Sequence, residues 1–225
     1  MSTPARSQVT VLVPAAGRGE RLGRGPKAAL ELGGRPIVDW VVDKARQLGD
    51  EVIVAYAPGA RTPAACIGIE GGETRQDTLL KLARAASLPW VVIWDAARPF
   101  GSVGLARAVL EAAQDSGVAG AFLASEVPVA LVEAGYVLDS YPAAGTALFQ
   151  TPQAFAHAVL LPTLERAARE NWRAQSAIEL MMRTGHRARA VPGEKLNIKL
   201  TTPEDWQLAL GLLDLLEARP EVPPA

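Results

Sequence analysis

The chain has 225 residues, of which 49% are hydrophobic and 21% are charged, a composition typical of globular proteins and unlike that of disordered chains. Its 23 basic and 24 acidic side chains leave a net charge of -1, which argues against a general nucleic-acid or membrane-surface binder. One cysteine and two histidines exclude an internal disulfide and a zinc site of the usual kind, and no apolar run reaches the roughly 20 residues that a membrane span needs.

In chain order, the polar stretch 1–8 is typical of neither a signal peptide nor a transit sequence, so the expected location is cytoplasmic. β-Branched and apolar runs then predict strands at 9–13, 52–56, 66–69, 90–94, 118–123, 188–191 and 196–200. Apolar residues at helical spacing predict helices at 37–48, 75–86, 103–114, 156–170 and 176–184, and a last helix with Trp206, Leu210, Leu213 and Leu216 on one stripe. This alternation predicts an α/β fold, a mostly parallel twisted sheet flanked by helices.

The alternation breaks between Pro128 and Pro152. Short strands at 129–132 and 136–138 flank the turn residues Glu133, Ala134 and Gly135, and residues 146–150 can return as a strand. We therefore expect one domain over 1–225 that includes a protruding β-arm at about 127–150.

The segment from Pro14 to Lys27 directly follows the first strand and contains four glycines, four cations and one glutamate. Glycines let backbone N–H groups approach a ligand closely, and the local charge of +3 favours a polyphosphate. The segment is neither a P-loop, since Ala28 follows Lys27, nor a dinucleotide fingerprint, since Leu22 takes the third glycine position. The plain alternative is a solvated basic surface loop.

This segment, which reads AAGRGERLG followed by PK, resembles the signature loop of nucleotidyltransferases with a glycosyltransferase-A-like fold. Four further segments follow in order: GGETRQDT at 71–78, DAARPF at 95–100, QTPQAF at 150–155 and NIKLTTPED at 197–205. Together they resemble the 2-C-methyl-D-erythritol 4-phosphate cytidylyltransferase family of isoprenoid precursor synthesis, and the resemblance covers residues 9–206.

The resemblance implies a reaction in which CTP and a sugar-alcohol phosphate combine and pyrophosphate leaves. The acceptor phosphate is already a nucleophile, so no activated Ser or Cys is needed, and Mg²⁺ is expected on the nucleotide phosphates rather than on protein ligands. Arg21 and Lys27 are the implied catalytic residues, stabilising charge at the α-phosphorus and on pyrophosphate. The implied nucleotide-binding residues are Ala15, Ala16, Gly17, Gly19, Gly72, Glu73, Thr78 and Ala96.

Asp95, Arg98 and Lys199 are the implied substrate-binding residues. The structural alternatives are that Asp95 pairs with Arg98 or caps the following helix, and that Thr78 only occupies a first helical turn. Lys44 and Lys81 on predicted helix faces are interpreted as solvated charges, and His157 and His186 as surface residues without a role.

The acceptor half departs from the family pattern at three places, marked by Ala130, Ala143 and Gln175, where acidic, hydroxyl or basic residues are usual. Either other arginines replace the missing ones, with Arg173 a candidate, or the acceptor has changed. The alternative functions are therefore a pentitol-phosphate enzyme that uses ribitol 5-phosphate, or a CTP-binding homologue that transfers nothing.

The β-arm implies a partner subunit, because family members use it for dimerisation and a lone hairpin is rarely stable. Its apolar residues would be buried in a homodimer: Val127, Val129, Leu131, Val132 and Leu148.

Overall fold

A seven-stranded sheet forms the centre of the fold in this computed structural model, which describes residues 8–17, 19, 25, 27–60 and 63–217. The strand order is β11-β7-β10-β6-β1-β4-β5, and β10 is the one strand that runs antiparallel to its neighbours. The strands are β1 (Val9–Ala15), β4 (Glu51–Tyr56), β5 (Ile67–Glu70), β6 (Trp90–Ile93), β7 (Val118–Ala124), β10 (Ala147–Ala156) and β11 (Arg189–Pro192). The predicted mostly parallel sheet is thus confirmed.

Helices cover both faces of the sheet. They are α1 (Ile37–Leu48), α2 (Arg75–Ala85), α3 (Val103–Ser116), α4 (His157–Arg169), α5 (Ala177–Arg183), α6 (Pro203–Gly211) and α7 (Leu213–Glu217). No helix in the described part of the chain is long and apolar enough to cross a membrane.

The side-chain alternation of β1 explains the three-layer arrangement. Val11 and Val13 pack with apolar residues of α1 and α3, whereas Leu12 packs on the opposite face with residues of α2 and α4. Successive residues of a strand point to opposite faces, so a strand with apolar residues buried on both faces is stable only between two layers of helices.

Two short hairpins lie outside the main sheet. Strands β2 (Glu31–Leu32) and β3 (Arg35–Pro36) are joined by two glycines with positive φ angles, Gly33 and Gly34. Strands β8 (Val129–Glu133) and β9 (Tyr136–Tyr141) form the hairpin predicted after Pro128, with most of its side chains exposed. Its use as an arm toward a partner stays a prediction.

Several sequence-based predictions of local structure were wrong. Residues 196–200 form no strand, because this segment crosses the end of β6, where the Leu200 N–H donates to the Ala97 carbonyl. The predicted last helix divides at Leu212 into α6 and α7, and Leu210 of the predicted apolar stripe is 45% exposed. The returning strand predicted at 146–150 is present as β10, and only its extent differs, since β10 runs from Ala147 to Ala156.

Candidate active site

A cleft of about 850 Å³ opens at the carboxyl ends of β1, β4, β5 and β6. After β1 the chain continues on one side to β4 and β5, whereas β6 lies on the other side of β1. The strand order therefore reverses its direction at β1, which makes this position a topological switch point. Open α/β sheets bind ligands at such points, because the loops after adjacent strands lead away in opposite directions and separate there. The cleft therefore has the position expected of an active site.

The segment after β5 approaches the loop after β1 so closely that side chains are excluded. A Cβ atom at Gly71 would lie 2.3 Å from the Ala16 Cβ, and one at Gly72 would lie 2.4 Å from the Asp77 Cβ. The Gly71 N–H also donates to the Tyr56 carbonyl at the end of β4, over 2.9 Å. The two glycines are thus required for the backbone to form this wall of the cleft.

Helix α2 holds the same segment through its first turn. Thr74 and Asp77 form a reciprocal capping box, which satisfies free N–H groups at the helix start. The Thr78 hydroxyl accepts from the Gly72 N–H over 3.0 Å and donates to the Thr74 carbonyl over 2.9 Å. Thr78 is buried and lines the cleft, so the structure gives it a positioning contact.

Lys81 was missed by the sequence interpretation, which placed it on a solvated face. Its ammonium donates to the Gly71 carbonyl over 2.8 Å, and its side chain lines the cleft. Thr74, Thr78 and Lys81 follow the i, i+4, i+7 spacing of one helix face, and this signal could have placed Lys81 beside Thr78.

Asp95 lies at the end of β6 and is the buried charge of the cleft. Its Oδ1 is 2.7 Å from Nη2 of Arg75, and its Oδ2 is 3.0 Å from Nζ of Lys199. Burial by itself raises the pKa of Asp95, but the Arg75 and Lys199 charges outweigh it and hold this pKa well below its usual range. The carboxylate is therefore ionised and neutralised by two cations from distant parts of the chain.

Arg98 is buried beside this group and does not line the cleft. Its guanidinium donates to the carbonyls of Asn197 and Phe149. Burial lowers the pKa of Arg98, and the nearby Asp95 charge opposes the shift. The structural alternative, a pairing of Asp95 with Arg98, differs from the structure, where Asp95 pairs with Arg75 and Lys199. A substrate-binding role for Arg98 stays a prediction.

Asn197 and Gln150 connect the surrounding segments. The Asn197 amide donates to the carbonyl of Thr151 over 2.8 Å, while the Gln150 amide donates to the carbonyl of Glu194 over 2.9 Å. The Thr151 hydroxyl accepts the Asp95 N–H over 3.0 Å. These bonds fix the segment that carries Lys199 against the end of β6.

The structure brings most of the predicted site residues together. The cleft is lined by Ala15, Ala16, Gly17, Gly19, Gly72, Glu73, Thr78, Asp95, Ala96 and Lys199. Arg21 lies outside the described residues, and Lys27 is described only as the start of a single 3-10 turn, Lys27–Ala29. The candidate replacement Arg173 is exposed and is not among the described lining residues.

Two further basic side chains differ from their prediction as solvated or surface groups. The Lys44 ammonium donates to the carbonyls of Pro99 and Gly101, so it fastens α1 to the loop after Asp95. The Nε2 atom of His157 lies 2.8 Å from the Ala83 carbonyl and thereby joins α4 to α2. Both partners are backbone carbonyls, which leave no signature in the sequence.

Among the described lining residues, three cations and three carboxylates balance: Arg75, Lys81 and Lys199 against Glu70, Glu73 and Asp95. The described lining residues therefore carry no excess of positive charge. The described residues contain no group of three or more His, Cys, Asp or Glu suited to a metal. Both Asp95 oxygens contact cations, so this carboxylate is already engaged by Arg75 and Lys199.

Comparison with known proteins gives one consistent result. The family model described as IspD, 2-C-methyl-D-erythritol 4-phosphate cytidylyltransferase, matches residues 9–214. A relative of that name from Thermus thermophilus is 42% identical over 207 residues, which are 91% of this chain and 97% of the relative. A relative from Deinococcus radiodurans is 38% identical over 216 residues, 94% of this chain and 93% of its own.

A solved structure agrees with these matches. The crystal structure of the Thermus thermophilus cytidylyltransferase superimposes with a TM-score of 0.83 at 39% identity, over 92% of this chain and 99% of that one.

We expect Asp95→Asn to lower the free energy of unfolding at pH 7 by about 1–2 kcal/mol, a modest value because both cations are more than a third exposed. The pKa of Asp95 is lower in the folded state, so its contribution is complete above the ordinary value of about 3.9 and is lost as the pH falls below it. Urea unfolding at pH 7 and pH 3 measures this, with Asp115→Asn on the exposed end of α3 as control. If Asp95→Asn lowered the free energy of unfolding as much at pH 3 as at pH 7, the result would contradict an ionic origin of the stabilisation by Asp95.

Proposed function

The chain belongs to the 2-C-methyl-D-erythritol 4-phosphate cytidylyltransferase family, and we propose that its cleft binds CTP with Mg²⁺ beside the acceptor phosphate. The protein is a nucleotidyltransferase of isoprenoid precursor synthesis, which transfers the cytidylyl group of CTP to 2-C-methyl-D-erythritol 4-phosphate and releases pyrophosphate. One observation supports the proposed site most directly. The segments after β1 and β5, which the resemblance implies to bind the nucleotide, line the same cleft as Asp95 and its two cations.

The reaction needs alignment and charge stabilisation rather than an activated side-chain nucleophile. An acceptor phosphate oxygen forms the new bond to the α-phosphorus of CTP as the bond to the pyrophosphate oxygen breaks, and the electron pair leaves with pyrophosphate. Negative charge therefore increases on the α-phosphoryl oxygens and on the leaving group. Cations already in position at those atoms lower the barrier most.

The wall formed by Gly71, Gly72 and Thr78 is assigned to the base and ribose of CTP. Its backbone is held from three sides, by Tyr56 at β4, by the Thr78 hydroxyl and by the Lys81 ammonium. A wall fixed before the ligand arrives binds with less loss of conformational freedom. This supports a nucleoside subsite next to β5.

The loop at 14–27 is assigned to the triphosphate. Gly17 and Gly19 bring its backbone to the cleft, and Arg21 and Lys27 are proposed to stabilise the charge of the transition state. Mg²⁺, when bound, would supply positive charge that offsets the charge of the phosphates. Asp95, whose two oxygens form ion pairs with Arg75 and Lys199, is assigned to the acceptor side rather than to this ion.

The β8–β9 hairpin is proposed to mediate homodimerisation. Four apolar side chains on the two faces of this hairpin are at least half exposed: Leu131, Val132, Tyr136 and Val137. Such a hairpin is marginally stable alone, and a second copy would cover these apolar side chains.

The cytoplasmic location expected from the sequence also stays part of the proposal.

Purified protein with CTP and Mg²⁺ should release pyrophosphate with methylerythritol phosphate and not with ribitol 5-phosphate. The reverse preference would favour the pentitol-phosphate alternative. The departures from the family pattern at Ala130 and Ala143 are the reason for considering that alternative. Calorimetric binding of CTP without turnover of either polyol would favour the non-catalytic alternative. A coupled pyrophosphate assay measures turnover with each polyol.

Lys27→Ala should lower kcat by about a thousandfold or more while the KM for CTP changes less than about tenfold, because the charge is needed chiefly in the transition state. Steady-state kinetics with CTP varied measures both constants. Lys195→Ala is the matched control, since Lys195 is exposed and pairs with Glu126 outside the cleft. Equal losses in kcat and in CTP affinity would argue against the assigned role.

Val137→Lys should convert the dimer to a monomer at micromolar concentration, because it places a charge opposite Val132 in an apolar interface. Light scattering after gel filtration measures the mass. Ile67→Lys on the edge strand β5 is the control, since Ile67 is also apolar and exposed but lies outside the hairpin. A monomeric wild-type protein would overturn the dimer proposal.

A further inference from the structure

Arg75 is a cleft cation to which the sequence interpretation gave no role, although it lies in the GGETRQDT segment at 71–78. It begins α2, next to the proposed nucleoside wall, yet its guanidinium reaches Asp95 at the end of β6. Its side chain is 38% exposed and that of Lys199 is 40% exposed, whereas the Asp95 side chain between them is 5% exposed. The carboxylate is therefore covered, and both cations remain accessible from the cleft.

The geometry of this cluster suits a preformed site for one small dianion. Arg75 contacts one oxygen of Asp95 and Lys199 contacts the other, so a single carboxylate sets the separation of the two cations. A phosphate monoester has more oxygens and more charge than a carboxylate, and it can span two cations held at that separation. The guanidinium contributes several donors in a fixed plane, and its Nη2 atom lies 2.7 Å from the Asp95 Oδ1.

Arg98, the other cation expected near the acceptor, is less available than Arg75. Its guanidinium is buried and donates to two backbone carbonyls, and it does not line the cleft. By the resemblance, the acceptor side also has Ala143 at a position where a basic residue is usual. Among the described lining residues, Arg75 is the cation that stands beside Lys199.

We propose that Arg75 and Lys199 together bind the phosphate of the polyol acceptor, with Asp95 holding the two side chains in place. The proposal rests on the proposed function of the cleft as a cytidylyltransferase site. In it Arg75 also connects the two substrates, because the same residue begins the helix that supports the nucleoside wall.

Arg75→Gln and Arg75→Lys test this assignment, with Arg84→Gln as control because Arg84 is on the same helix but pairs with Glu165 outside the cleft. Steady-state kinetics with each substrate varied should show the KM for methylerythritol phosphate raised about 10- to 100-fold in Arg75→Gln and the KM for CTP changed less than about threefold. Arg75→Lys should recover part of the loss, since it keeps the charge and loses the planar donors.

Direct binding keeps this test separate from the test of the activity. Calorimetric titration of methylerythritol phosphate into CTP-loaded protein without Mg²⁺ should show the same weakening in Arg75→Gln, with thermal unfolding verifying that the variants fold. Unchanged acceptor affinity would overturn the proposal, and so would a loss of CTP affinity as large as the loss of acceptor affinity. Weakened binding in a protein that never releases pyrophosphate would support the Arg75 assignment and overturn the proposed function.

Discussion

The neutralisation of the Asp95 carboxylate by Arg75 and Lys199 is the interaction on which the cleft depends. A buried carboxylate that lacks partners loses several kcal/mol of hydration, so it persists only where cations or hydrogen bonds replace water. The two cations come from the start of α2 and from the segment before α6. Burying Asp95 at the end of β6 therefore requires that these distant segments meet there, and their meeting closes one side of the cleft.

A second set of contacts, made by amides, keeps these segments in register. Gln150 and Asn197 exchange hydrogen bonds with the backbone of β10 and of residues 194–197, and the Thr151 hydroxyl accepts from the Asp95 N–H. Arg98 adds bonds from its guanidinium to two of the same segments. Buried polar groups that bond to one another favour a single arrangement, because a displacement leaves donors or acceptors without partners. The position of Lys199 follows from this network, although residues 196–200 form no regular strand.

The two sides of the cleft use different physical means. On the β5 side, Gly71 and Gly72 allow a backbone approach that any Cβ would block, and the side chains of Thr78 and Lys81 hold this backbone in place. On the β6 side, charged side chains form the surface around Asp95. This division suits a reaction in which one substrate carries a base to be recognised by shape and hydrogen bonds and the other carries a phosphate to be held by cations.

The amino-acid sequence by itself determined the layered α/β architecture, because strands such as Val9–Ala15 are apolar on both faces and must lie between helices. It also predicted that the glycine-rich loop, Gly72, Asp95 and Lys199 belong to one site, and ten of the predicted residues line the cleft. Only the tertiary structure decided the partners of Arg75, Lys44, Lys81 and His157. Their partners are backbone carbonyls or a carboxylate at least ten residues away. A local pattern records spacing and polarity along the chain, whereas these contacts depend on how strands and helices pack, and for that reason no short motif could reveal them.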